Sequence, residues 1–237
     1  MSAAAPAGLP GEVRVVSDPP AAYAELVAGA LSDRGDDPAN FRLAISGGAS
    51  GIACLNALIA ARLPWDEIEL FFADERCVEA TDPRSNAGSL GAVLGELRGH
   101  LAGWHPMSCR AGPEAYEREL REAGGLDLAQ LGFGPDGHTA SLFPGSPGLD
   151  AAPGALVVLN HDLSGKNPLE RMTLTLEGIA TAATVVIVVS GADKRDALAR
   201  LVAGEDLPPR RVHADKVVWL VDEAAAEGLR DQLAPPR

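Results

Sequence analysis

Residues 184–204 read TVVIVVSGADKRDALARLVAG. Val185 to Val189 are apolar without a polar alternate. A strand with one face in water would alternate. This run therefore predicts a strand over 184–190 buried on both faces, as in a parallel sheet. The spacing then turns helical over 191–204, with Gly204 as the stop. A strand leading straight into a helix is the unit of α/β folds.

The same alternation runs outward from this unit. Strands are predicted over 12–16, 41–46, 68–73, 126–132, 154–160, 171–176 and 216–222. Helices are predicted over 19–34, 50–63, 86–97, 112–124 and 223–233. The stretch holding His100 and His105 reads as a loop. The pattern predicts a three-layer α/β/α sandwich with a mainly parallel sheet. Residues 12–237 read as one domain, after a disordered tail over 1–11.

The formal charge is −13 with no Lys/Arg cluster, so a nucleic-acid backbone would be repelled. No run of eighteen apolar residues exists, which argues against a membrane span. The N-terminus lacks the basic and leucine-rich parts of a secretory signal. Cys54, Cys77 and Cys109 are odd in number and widely spaced. They argue against a disulfide framework and for a reducing cytoplasm.

In such folds ligands sit beyond the carboxyl ends of strands. ISGGASG (45–51) follows a strand and opens a helix, so Gly47, Gly48 and Ser50 can bring backbone amides and a hydroxyl to an anion. A tight turn with Ser50 as N-cap is the bland alternative. Ser46 also sits where a degenerate nucleophile elbow would place a serine. FFADERCV (71–78) sets Asp74, Glu75 and Arg76 after an apolar strand. Arg76 could fork onto a phosphate; taken alone, the segment reads as a solvated loop.

LGFGPDGHTASLFPGS (131–146) contains G-x-G-x-x-G at Gly132, Gly134 and Gly137. A dinucleotide loop needs a long following helix. Pro144 and Pro147 leave room for one or two turns, so NAD binding is rejected. His138 is the better signal: a neutral imidazole beside Asp136 can take a proton from water. Lys194 sits in a first helical turn, where the helix dipole opposes a cation unless an anion is bound. Arg171 opens a strand, and Lys166 reads as a surface charge. No histidine has metal-ligand spacing, so neither metal nor cofactor is expected.

Taken in order, ISGGAS, FFADER, RSNAG, LDLAQLGFGPDGHTASLFPG, NPLERMTLT and GADK resemble the 6-phosphogluconolactonase family over about residues 12–230. The wider family includes glucosamine-6-phosphate deaminases with a modified doubly wound sheet. The resemblance implies hydrolysis of 6-phospho-D-glucono-1,5-lactone in the pentose phosphate pathway. His138 would be the general base, and Asp74 and Asp136 would be site carboxylates. Gly47, Gly48, Ala49 and Ser50 would form the phosphate loop, with Gly134 close to the substrate. Arg76, Arg171 and Lys194 would bind anionic groups.

The family's first loop is usually Ser-Gly-Gly-Ser-Thr-Pro; here Ala49, Ser50 and Gly51 close it. Gln130 stands where the preceding strand is usually apolar. The deaminases resemble DGHIAFNEPG in the later loop and use its glutamate, whereas Phe143 holds that place here. A non-catalytic sugar-phosphate sensor would keep the cradle but not need His138. The expected partner is a small sugar-phosphate lactone, and the expected state a monomer or weak homo-oligomer.

Overall fold

The computed structural model describes residues 9–35, 39–229 and 232. Ten strands are described: β1 (Glu12–Val16), β2 (Phe41–Ile45), β3 (Ile68–Phe72), β4 (Asp74–Arg76), β5 (Gly103–His105), β6 (Leu126–Gly132), β7 (Val157–Asn160), β8 (Arg171–Leu174), β9 (Ala182–Val189) and β10 (Lys216–Asp222). The α-helices are α1 (Pro19–Asp33), α2 (Gly48–Ala60), α3 (Asn86–Leu94), α4 (Pro113–Glu122), α5 (Leu176–Ile179) and α6 (Arg195–Val202).

Seven strands form one parallel sheet, ordered β1-β10-β9-β6-β2-β3-β5, with helices on both sides. Val185 to Val189 of β9 are at most 1% exposed, as their unbroken apolar run requires. From β2 the chain moves toward β3 and β5; from β6 it moves toward β9 and β10. The winding therefore reverses between β2 and β6, and the crevice past their carboxyl ends is the natural ligand position. A small antiparallel sheet, β4-β8-β7, stands beside it.

Several expectations need correction. Asp74–Arg76 is a strand rather than a solvated loop, and Asp74 and Glu75 are buried. His105 belongs to β5. Helix α3 ends at Leu94, where Gly95 takes φ +54 and a 3₁₀ turn follows. Strand β8 ends at Leu174, because the Thr175 hydroxyl caps α5 by accepting from Gly178 N at 2.9 Å. Residues 223–229 turn instead of forming a helix. There Asp222 accepts the Ala225 amide at 2.7 Å, and Gly228 takes φ +79. The remainder of that predicted helix lies largely outside the described residues.

Of the expected tail, residues 1–8 lie outside the described residues. Leu9 is buried, and Pro10 O accepts from Trp219 Nε1 at 2.8 Å. The cysteine reading is also overturned: Cys77 and Cys109 form a disulfide, Cα–Cα 5.4 Å, across 32 residues of sequence. Folding brings both onto the wall of one cavity beside α3. The bridge removes the cysteine-based support for a reducing compartment. Among the described residues no helix is long and apolar enough to cross a membrane.

Candidate active site

The loop after β2 is pinned to β6. Ser46 N donates to Gln130 O and Oε1 at 3.2 and 3.1 Å, and Ser46 Oγ donates to Gln130 O at 3.3 Å. The buried Gln130, polar inside an apolar strand, thus holds the loop. Gly47 is the N-cap of α2, and no side chain caps that end. The first amides of α2, at Gly48, Ala49 and Ser50, have no intrahelical acceptor and carry the positive end of the helix. Ser50 therefore lies inside the first turn and is not the cap. Gly48 takes φ +70, where an L side chain is strained. A Cβ at Gly51 would fall 1.8 Å from Ser46 O, and one at Gly47 would fall 1.9 Å from Asn86 Oδ1. The close packing of this loop depends on both glycines.

Alternation along β4 separates its three charges. Glu75 serves α3: its carboxylate accepts from Asn86 N and Ala87 N, both at 2.7 Å, and from Ser85 Oγ at 3.1 Å. Asp74 lines the cleft, accepting from Ser141 Oγ at 2.5 Å and Asn86 Nδ2 at 3.3 Å. Arg76 lies directly opposite Arg171 in the β4–β8 register. Like charges so placed repel. Arg171 is 8% exposed, and its Nε and Nη1 have no hydrogen-bond partner. Burial and then the Arg76 charge hold its guanidinium below the usual range. Among the described residues neither arginine makes a carboxylate ion pair. An anion between them would relieve this arrangement.

The loop after β6 is closed on itself by Gly134 N to His138 O and Gly137 N to Gly134 O, both 2.9 Å. No helical turn forms over 133–146, so the dinucleotide reading fails in space as in sequence. Asp136 Oδ1 accepts from His138 Nδ1 at 2.5 Å and from His138 N at 3.1 Å. Burial pushes the Asp136 carboxyl up, but its hydrogen bonds with His138 and the His138 charge more than offset this, and the net direction is down. An ionised carboxylate only accepts, so Nδ1 carries the proton and Nε2 is left as the basic atom. The ring lies against bare backbone: a Cβ at Gly134 would fall 2.2 Å from both Cε1 and Nδ1. Buried Phe143 packs against it, ring centroids 5.1 Å apart.

The loops after β2 and β6 and the strand β4 enclose a cleft of about 180 Å³. Gly47, Gly48, Ala49, Ser50, Asp74, Arg76, Gly134, His138 and Lys194 all line it. Asp136 stands behind His138, and Arg171 stands beside Arg76. Lys194 is the N-cap of α6, its Nζ 2.7 Å from Asp193 Oδ2. Ser46 Oγ donates to a carbonyl and has no histidine partner, so the nucleophile-elbow reading has no geometry behind it. His105 stacks on Phe71 at 4.2 Å, while His100, His161 and His213 are exposed.

The sequence reading gives no role to Asn86, Asn160, Asp162 or Asn167, although Asn86 and Asn167 lie within the stretches RSNAG and NPLERMTLT that carry the resemblance. Asn160 Nδ2 donates to Ser141 O and Ser146 Oγ at 2.8 and 2.9 Å, fixing the far side of the His138 loop. Asp162 accepts from Ser164 N at 2.8 Å, Asn167 N at 3.0 Å and Asn167 Nδ2 at 2.9 Å. Burial raises its pKa, but these bonds dominate and take it down to about 2. A lowered value contributes stability above the ordinary 3.8 that is lost as pH falls toward about 2. Protection of the Ser164 and Asn167 amides against exchange, relative to the unfolded chain at the same pH, is therefore expected to fall across that window. Unchanged protection down to pH 2 would contradict the anchoring role.

Comparison with known proteins bears on the family and the fold. Residues 18–219 match the family model described as glucosamine-6-phosphate isomerases/6-phosphogluconolactonase. A 6-phosphogluconolactonase of Synechocystis is 37% identical over 220 residues, covering 85% of this chain and 88% of that one. One from Neisseria meningitidis serogroup A is 34% identical over 192 residues, covering 77% and 83%. The crystal structure of a Thermotoga maritima 6-phosphogluconolactonase matches with TM-score 0.75 at 26% identity, covering 90% of this chain and 99% of that one. A monomeric glucosamine-6-phosphate deaminase, TM-score 0.72 at 18% identity, covers 91% and 99% and shares the fold. The chain belongs to the glucosamine-6-phosphate isomerase/6-phosphogluconolactonase family.

Proposed function

We propose that this chain hydrolyses 6-phospho-D-glucono-1,5-lactone to 6-phospho-D-gluconate, a step of the oxidative pentose phosphate pathway. The observation that carries the reading is the His138–Asp136 pair beside the uncapped start of α2. Arg76 comes close there, its Nη2 3.9 Å from where a Gly48 Cβ would stand. Together the α2 amides and Arg76 favour a phosphate dianion, and Lys194 adds charge to the same cleft.

His138 Nε2 takes a proton from water as the water oxygen bonds to the lactone carbonyl carbon. The carbonyl electron pair moves onto oxygen, giving a tetrahedral oxyanion. Its collapse breaks the bond to the ring oxygen, which leaves with the proton held by His138. The new carboxyl group then ionises. A lactone is already activated, so one oriented base and nearby donors supply what the step needs. Phe143, in the position of the deaminase glutamate, has no proton to transfer. Ammonia release from glucosamine 6-phosphate, with no lactone opening, would overturn this choice.

Arg76→Ala is expected to raise KM about 10- to 100-fold while changing kcat far less, since a charge-assisted contact to phosphate is made equally in ground and transition states. An unchanged KM would refute the assignment. All the groups invoked come from one chain, so specific activity should not depend on protein concentration, as for a monomer or weak homo-oligomer. We place the activity in the cytoplasm on the family resemblance alone.

A further inference from the structure

The carboxylate behind His138 has a second partner that the mechanism above does not use. Asp136 Oδ2 accepts from Asn167 Nδ2 at 3.3 Å, and the same amide nitrogen donates to Asp162 Oδ2 at 2.9 Å. An amide NH₂ has two hydrogens, and each meets one carboxylate. The flipped amide would set its oxygen against two anions, so the orientation is fixed by chemistry. Asp162 also takes the Asn167 backbone amide, at 3.0 Å. Pro168 follows and disfavours a helical backbone at Asn167. Asn167 is thus held at its backbone and at its side chain, and it is the only side-chain donor to Asp136 Oδ2 among the described residues.

We propose that Asn167 is a positioning residue that holds Asp136 in line with His138 Nδ1 and limits how strongly that carboxylate attracts a proton onto the imidazole. The inference rests on the reading of His138 as the base. A donor at Oδ2 withdraws charge from the carboxylate; without it, Asp136 stabilises the imidazolium more. The base would then hold its proton over a wider pH range and be less available to accept one from water. The other charged groups near the pair are Asp74, Arg76 and Lys194 in the cleft, Asp162 behind Asn167, and Arg200 on α6 acting on Asp136. Of these only Asp162 loses a bond when the Asn167 side chain is changed, and it keeps the Ser164 and Asn167 backbone amides as donors.

The test is Asn167→Leu, nearly the same shape without donors, with Asn167→Ala as a second variant. The His138 ring is titrated by NMR in the free protein, and kcat/KM is followed against pH. The His138 midpoint is expected to rise by about half a pH unit, as loss of one hydrogen bond to a charged group allows. The acid limb of kcat/KM should move the same way, and kcat should fall about tenfold with KM within about twofold. A folded variant with an unmoved midpoint overturns the proposal. The titration needs no turnover. Absence of lactone opening would therefore strike the functional reading, while an unmoved midpoint would strike only the role of Asn167.

Discussion

His138→Ala is expected to lower kcat by about 10²- to 10⁴-fold, the range contributed by a positioned general base. Binding of 6-phosphogluconate should survive, because the α2 amides and Arg76 are untouched. The ring lies on bare backbone at Gly134 and against Phe143, and it is partly exposed, so its loss leaves no sealed core void. Asp136→Asn should be nearly as damaging to kcat. A neutral amide can offer an N–H to Nδ1 and so draw the proton to Nε2, the wrong tautomer for a base. Equal turnover by wild type and His138→Ala would remove His138 from the mechanism.

Loss of the Cys77–Cys109 bridge carries the largest expected effect on stability. A cross-link spanning 32 residues constrains the unfolded chain by about 3–4 kcal/mol. Cys77→Ser, or reduction by a dithiol, is expected to lower Tm by roughly 6–15 °C for a chain of this size. The bridge also reaches the site. Cys77 follows Arg76, and its amide donates to Glu170 O at 2.9 Å, immediately before Arg171. KM should therefore rise on reduction, with a smaller change in kcat. Identical melting of oxidised protein, reduced protein and Cys77→Ser would contradict a stabilising bridge.

The buried parallel strands were legible because their side chains have one environment. Val185–Val189 needs no partner to declare itself, and β6 and β10 were read to the residue. The short strand β4 was not legible. It holds three charges in three residues and no apolar period, and only the donors gathered by Glu75 and Asp74 make its burial tolerable. The first part of the final helix, 223–229, was misread because its alanines favour helix, while an aspartate turn and Gly228 decide otherwise.

The site divides in the same way. His138 and Asp136 are two residues apart, so their pairing could be seen locally. Arg76 and Arg171 meet only through strand register, and Asn167 reaches Asp136 across 31 positions. Gln130 looked like a misplaced polar residue because its acceptor role is visible only once β2 lies beside β6. Cys77 and Cys109 carried no spacing signal at all.

The most direct measurement is the initial rate at which the purified protein opens freshly made 6-phospho-D-glucono-1,5-lactone, corrected for spontaneous hydrolysis. The account predicts saturable acceleration that is proportional to protein and lost in His138→Ala. A rate equal to the spontaneous one, with 6-phosphogluconate still bound, would contradict catalysis and leave a sugar-phosphate-binding protein in its place.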